Sequence, residues 1–161
     1  MHILYYHIME NISIDHDYYM SMALELAESA YAADEVPVGC VIALDGEVIG
    51  RGSNRRNSAK NALFHAEMLA IGEACGFMGD WRLEDCTLYV TVEPCAMCAG
   101  AIVNARVPTV VYGCANPKAG CAGSILDILN EPRFNHRSQV IPGVMETECA
   151  RLMSGFFAKR R

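Results

Sequence analysis

Two short segments of this sequence bring together side chains that can hold a metal and move protons: His65-Ala66-Glu67 and Pro94-Cys95-Ala96-Met97-Cys98. Cys95 and Cys98 stand three apart where a helix is expected to begin, so both sulfurs leave one face, and the positive helix terminus favours their thiolate forms. Taken alone, such a pair is as readily a redox couple or two packed cysteines, and a lone histidine before an apolar helix is more often structural. Together in one chain the three fit zinc. Two thiolates and an imidazole suit a tetrahedral ion, and three protein ligands leave a fourth position for water, as a catalytic site requires. A closed structural site would need a fourth ligand, and Cys40, Cys75, Cys86, Cys114, Cys121 and Cys149 leave that alternative open. Glu67 is the expected proton shuttle, a carboxylate that does not bind the metal but stands beside the water. Its ordinary alternative is an exposed acid complementing the helix dipole. On a regular helix His65 and Glu67 would point about 200° apart, so at least one must sit in an irregular first turn if they share a cavity.

The elements that must position these residues follow from periodicity. Apolar residues from Tyr19 to Tyr31 recur at helical spacing, which predicts an amphipathic helix over Asp15–Tyr31, capped by Ser13 or Asp15 and ended before Pro37. Asp45-Gly46 between Val38–Leu44 and Glu47–Ile49 predicts a tight hairpin. Arg51–Asn61 is polar and without period, which predicts an exposed loop before a helix over His65–Cys75. Thr87–Val92 and Thr109–Tyr112 read as strands joined by a helix over Cys95–Ala105 that Pro94 can start, hence a parallel crossover pair. A Gly-rich loop over Gly113–Gly123, a short helix near Ile125–Leu129, a weak strand at Gln139–Pro142 and a last helix over Met145–Arg160 complete the chain. Strands alternate with helices, so the class is α/β with helices on both faces of one mixed sheet.

At 161 residues the chain is expected to form one domain, residues 1–161, with 1–13 as an N-terminal extension. Its 52% hydrophobic content excludes wholesale disorder. No apolar run reaches the roughly 18 residues a membrane helix needs, and the opening residues do not form a signal peptide, so a cytoplasmic protein without disulfides is expected. The net charge of −6 argues against a nucleic-acid partner, but its distribution does not. Residues 1–50 hold nine acids and no Lys or Arg, the remainder is net positive, and four bases fall between Arg51 and Lys60.

The HxE and PCxxC segments resemble the signature of the zinc-dependent nucleobase deaminases. Within them the chain is similar to the tRNA adenosine deaminases, from Glu35-Val36-Pro37-Val38-Gly39 through Gly52-Ser53-Asn54-Arg55, Trp81-Arg82-Leu83 and Leu88–Cys95 to Phe134-Asn135-His136 and Phe156-Phe157. The resemblance implies a cytidine-deaminase-like three-layer α/β/α sandwich with a five-stranded mixed sheet, and a homodimer. It also implies one Zn2+ per subunit and conversion of the wobble adenosine to inosine in a tRNA anticodon stem-loop. It places Asn54 in the substrate pocket and assigns RNA contacts to Asn116, Lys118, Asn135, His136, Phe157 and Arg161. Asn116 departs from the family pattern, which carries Asp there. An amide donates as well as accepts and does not repel phosphate, so looser discrimination between RNA and DNA backbones is expected. Two rival readings share the zinc core. A deaminase of free bases or nucleosides would need neither the basic stretch nor the basic, aromatic C-terminus, and a non-catalytic zinc-binding partner subunit would not need Glu67.

Overall fold

The computed structural model describes residues 13–160. Helix α1 (His16–Ala32) is capped by the Asp15 carboxylate, one of the two expected caps, which accepts from Tyr18 N. Strands β1 (Gly39–Leu44) and β2 (Glu47–Ser53) form the expected hairpin. Asp45 and Gly46 both take positive φ, at 50° and 85°, as the primed turn that matches strand twist requires. Helix α2 (Ala66–Met78), strand β3 (Thr87–Val92), helix α3 (Ala96–Asn104) and strand β4 (Thr109–Cys114) follow, and β5 (Gln139–Ile141) and helix α4 (Glu146–Ala158) end the described chain.

The strands lie in the order β2-β1-β3-β4-β5, with β1 antiparallel to β2 and β3, and β3, β4 and β5 parallel. Alternation along each strand divides the core. Cys40, Ile42, Leu88, Val90 and Val110 face α2 and α3, whereas Val41, Ala43, Tyr89 and Val111 face α1 and α4. The result is the expected three-layer arrangement.

Three expectations need correction. Strand β2 runs on through Arg51-Gly52-Ser53, which had read as loop because of its Gly and polar content. The glycines serve packing instead: a Cβ on Gly52 would stand 2.0 Å from the Ala66 carbonyl oxygen, and one on Gly50 would stand 2.4 Å from that of Ala70, so α2 can lie on β2 only where side chains are missing. Pro94 precedes the N-cap rather than opening the helix. The segment Ile125–Leu129 is a run of turns, not a helix: backbone N–H groups of Ala122 and Ser124 bond the Glu93 carboxylate, while Ile125 and Leu126 face outward. Residues 1–12, the expected N-terminal extension but for Ser13, and Arg161 lie outside the described residues.

Candidate functional site

Strands β2, β3 and β4 all point the same way, because β2 and β3 are each antiparallel to β1. Their carboxyl ends therefore share one edge of the sheet, the edge where open α/β sheets form their clefts. Asn54 leaves β2 there, Glu93-Pro94-Cys95 leaves β3, and Ala115–Ala119 leaves β4, while Val36 and Val38 lead into β1 at the same edge. Together with Ala150, Met153, Ser154 and Phe157 of α4 they surround a cavity of about 600 Å³.

His65 and Cys95 are the N-caps of α2 and α3, each in extended backbone conformation, and Cys98 lies within the first turn of α3. Two helix N-termini are thus aimed at one point, and both supply positive potential to the sulfurs. The His65 Nδ1 atom is 3.6 Å from Cys95 Sγ and 3.6 Å from Cys98 Sγ, and all three donor atoms fall within 4.8 Å of one another. A thiolate and an imidazole bound tetrahedrally at about 2.3 and 2.0 Å stand about 3.5–3.6 Å apart, so the donors are spaced as one zinc would hold them. Among the described residues no fourth His, Cys, Asp or Glu joins the group. The cluster therefore has the open form.

The thiol of Cys98, then the neighbouring imidazole, hold Cys95 down at about 3, the range of a permanent thiolate. Cys98 is raised by the same contact, so the pair shares its negative charge unequally. The Cys95 thiolate in turn raises His65. Glu67, one residue into α2 beyond Ala66, is 4% exposed and lines the same cavity. Burial pushes its carboxyl up to about 7. Its separation from His65 is resolved as geometry demands: the histidine occupies the extended N-cap and the glutamate the helix proper.

Of the remaining expected residues, the cavity gathers Asn54, Asn116, Lys118 and Phe157. Asn54 is only 7% exposed; its amide donates to Val36 O at 3.1 Å and accepts from Arg56 N at 3.2 Å, which leaves one N–H and one lone pair uncommitted. The Asn116 side-chain oxygen accepts from Ala119 N, so its NH2 is the free end. Asn135 and His136 are not brought in. They precede β5, whose parallel pairing starts at the amino ends of the strands, and His136 Nε2 bonds Val107 O at 2.8 Å. The length of β4, about 17 Å at 3.3 Å per residue, separates that edge from the cavity. Arg160 is held by Asp34 and by Phe156 O, and its guanidinium lies over the Phe156 ring.

Two buried carboxylates were missed from sequence. Glu35, 1% exposed, accepts from Ser58 N at 2.6 Å and Asn57 N at 3.1 Å and ties the loop after β2 to the one before β1. Glu93, also 1% exposed, accepts from the Ser124 hydroxyl and from the backbone N–H groups of Asn116, Ser124 and Ala122. Burial would raise both groups, but these donors outweigh it and leave each below the usual carboxylate range. A stripe on α4 carries a helical spacing signal: Ala150, Met153, Ser154 and Phe157 follow i, i+3, i+4, i+7 and face the cavity, while Phe156 is buried against Tyr31.

The MafB19-like deaminase family matches residues 14–161. The tRNA-specific adenosine deaminase of Bacillus subtilis (strain 168) is 49% identical over 143 residues, 89% of each chain. A solved structure from a study of A-to-I editing by tRNA:A34 deaminases at the wobble position is 41% identical, with a TM-score of 0.81 over 84% of this chain and 98% of that one. A guanine deaminase from Nitrosomonas europaea, 22% identical with a TM-score of 0.77 over 88% of this chain and 84% of its own, shares the fold alone.

Proposed function

This chain belongs to the MafB19-like deaminase family, and from that premise we propose that it hydrolyses the wobble adenosine of a tRNA anticodon loop to inosine, with one zinc held by His65, Cys95 and Cys98. The observation that carries the reading is the buried Glu67 lining one cavity with His65 and Cys95 of the three-donor cluster, in a chain 49% identical to a tRNA-specific adenosine deaminase. Zinc bound by these donors supplies the Lewis acidity that makes water a nucleophile at neutral pH. Glu67 does the proton work. Its carboxylate takes a proton from the attacking water and delivers it to the ring nitrogen next to the reacting carbon. It then carries a second proton to the departing amino group, so that adenosine and water become inosine and ammonia. Burial suits it to this cycle, because a carboxyl near neutrality both accepts and returns a proton readily. The free N–H and lone pair of Asn54 are placed to read a purine edge.

Lys118, Arg56 and Phe157 at the walls suit phosphate contacts and stacking on splayed anticodon nucleotides. Asn135 and His136, remote from the cavity of their own chain, keep an RNA role only toward a more distant part of the tRNA or beside a partner's cavity. The homodimer is inferred from the family resemblance, and Ile125 and Leu126, 53% and 57% exposed next to the segment that bonds Glu93, would suit its interface. No helix among the described residues is long and apolar enough to cross a membrane, which fits a cytoplasmic enzyme. The test sets inosine formation in an anticodon stem-loop against ammonia release from free guanine, cytosine and adenosine. Turnover of the stem-loop alone supports the proposal; turnover of a free base alone replaces it with the small-molecule reading.

A further inference from the structure

Glu93 sits two residues before the cavity's Cys95, and the loop that follows β4 is folded around its carboxylate. Oε2 accepts from Asn116 N at 2.9 Å and from Ser124 Oγ at 2.5 Å, and Oε1 accepts from Ala122 N and Ser124 N at 3.0 Å each. The loop is drawn in so closely that a Cβ on Gly120 would stand 2.4 Å from the Glu93 carboxyl carbon. Around this knot Cys121 N donates to Pro94 O at 2.8 Å, and Cys95 pairs with Gly120 as an isolated bridge. A carboxylate is the only side chain of this length that accepts at both ends. An amide would turn an NH2 group against at least one of the donors.

We propose that Glu93 is a positioning residue for the nucleic acid: by gathering four donors of residues 116–124 at the carboxyl end of β3, it sets the Asn116-Pro117-Lys118 wall at a fixed height beside the reacting base. The inference rests on the RNA reading of that wall given above. Glu93 has no part in proton transfer, since all four of its lone-pair sites are directed at the loop and its charge is held by three N–H groups and a hydroxyl rather than by the metal donors. Its removal therefore lowers the hold on RNA and spares the chemical step.

The test compares Glu93→Gln with Ser124→Ala, a milder variant that removes only the hydroxyl donor, in the zinc-loaded enzyme. Without any substrate, amide hydrogen exchange at Asn116, Ala122 and Ser124 should accelerate at least about tenfold in Glu93→Gln, while the amides of α3 stay protected. With the anticodon stem-loop, KM should rise about tenfold and the single-turnover rate at saturation should change by less than about threefold, with zinc content unchanged. The two substitutions combined should cost less than the product of their separate effects, because they break one contact. Unchanged exchange at the three amides overturns the clamp itself. Faster exchange with unchanged KM overturns its role in holding RNA, and a saturating rate that collapses with KM unmoved assigns Glu93 to the chemistry instead. A wild-type enzyme inert toward the stem-loop would show separately that the RNA reading is at fault.

Discussion

At the residue scale the proposed site divides its labour between three metal donors and one buried carboxylate. His65, Cys95 and Cys98 present three donors at zinc spacing, and Glu67 stands among them without joining them. Glu67→Ala should abolish turnover, by at least about a hundredfold for the loss of a general acid–base, while metal analysis still finds one zinc per chain and the melting temperature holds. A variant retaining a tenth of the wild-type rate would remove the shuttle role. These four residues were legible in the sequence because their chemistry is carried by local spacing: two at i, i+3 on a helix start, two at i, i+2 across an N-cap. Glu93 and Glu35 were not. A glutamate before a proline, or at the end of a helix, ordinarily faces solvent, and what buries each of these is a loop about 20 to 30 residues further along the chain.

At the element scale three co-directional strands deliver three loops to one edge, and that single fact explains which residues meet. Strand composition predicted the five strands, but not that β2 runs through Gly52, because Gly in a strand usually signals its end; here it marks where α2 lies against the backbone. The false helix at Ile125–Leu129 arose from good helix formers whose neighbouring N–H groups are claimed by Glu93. Glu35 makes the equivalent tie on the opposite wall, and its depressed folded pKa fixes the sign of a pH effect. The unfolded chain takes up the proton first, so the stability contributed by Glu35 is full above the unperturbed value of 4.5 and is lost as pH falls through the lower folded value. Glu35→Gln should therefore cost about 1–3 kcal/mol at pH 7 and progressively less as the pH falls toward 3, followed by denaturant unfolding. A cost that stayed constant over that interval would mean that the ionised carboxylate is not what holds the loop.

At the scale of the whole molecule a net charge of −6 faces a polyanionic substrate. The screening length at physiological salt is roughly 8 Å, so charges further away than that are damped and the bases that line the cavity, Arg56 and Lys118, should govern binding. Stem-loop affinity should fall with salt at a log–log slope of about −2 to −4, and Lys118→Ala should make it shallower by about 0.7, the share of one single-stranded phosphate. Arg160 belongs to the basic C-terminus. Its capture by Asp34 and Phe156 means that Arg160→Ala should alter the slope less than Lys118→Ala. The most direct measurement of the central claim is a position-resolved inosine readout on a full-length tRNA with adenosine at the first anticodon position, incubated with the wild-type enzyme and with Glu67→Ala in parallel. Inosine at that one position with the wild type, and none with the variant, is the predicted result. Inosine scattered over other adenosines, or editing that survives the loss of Glu67, would contradict it.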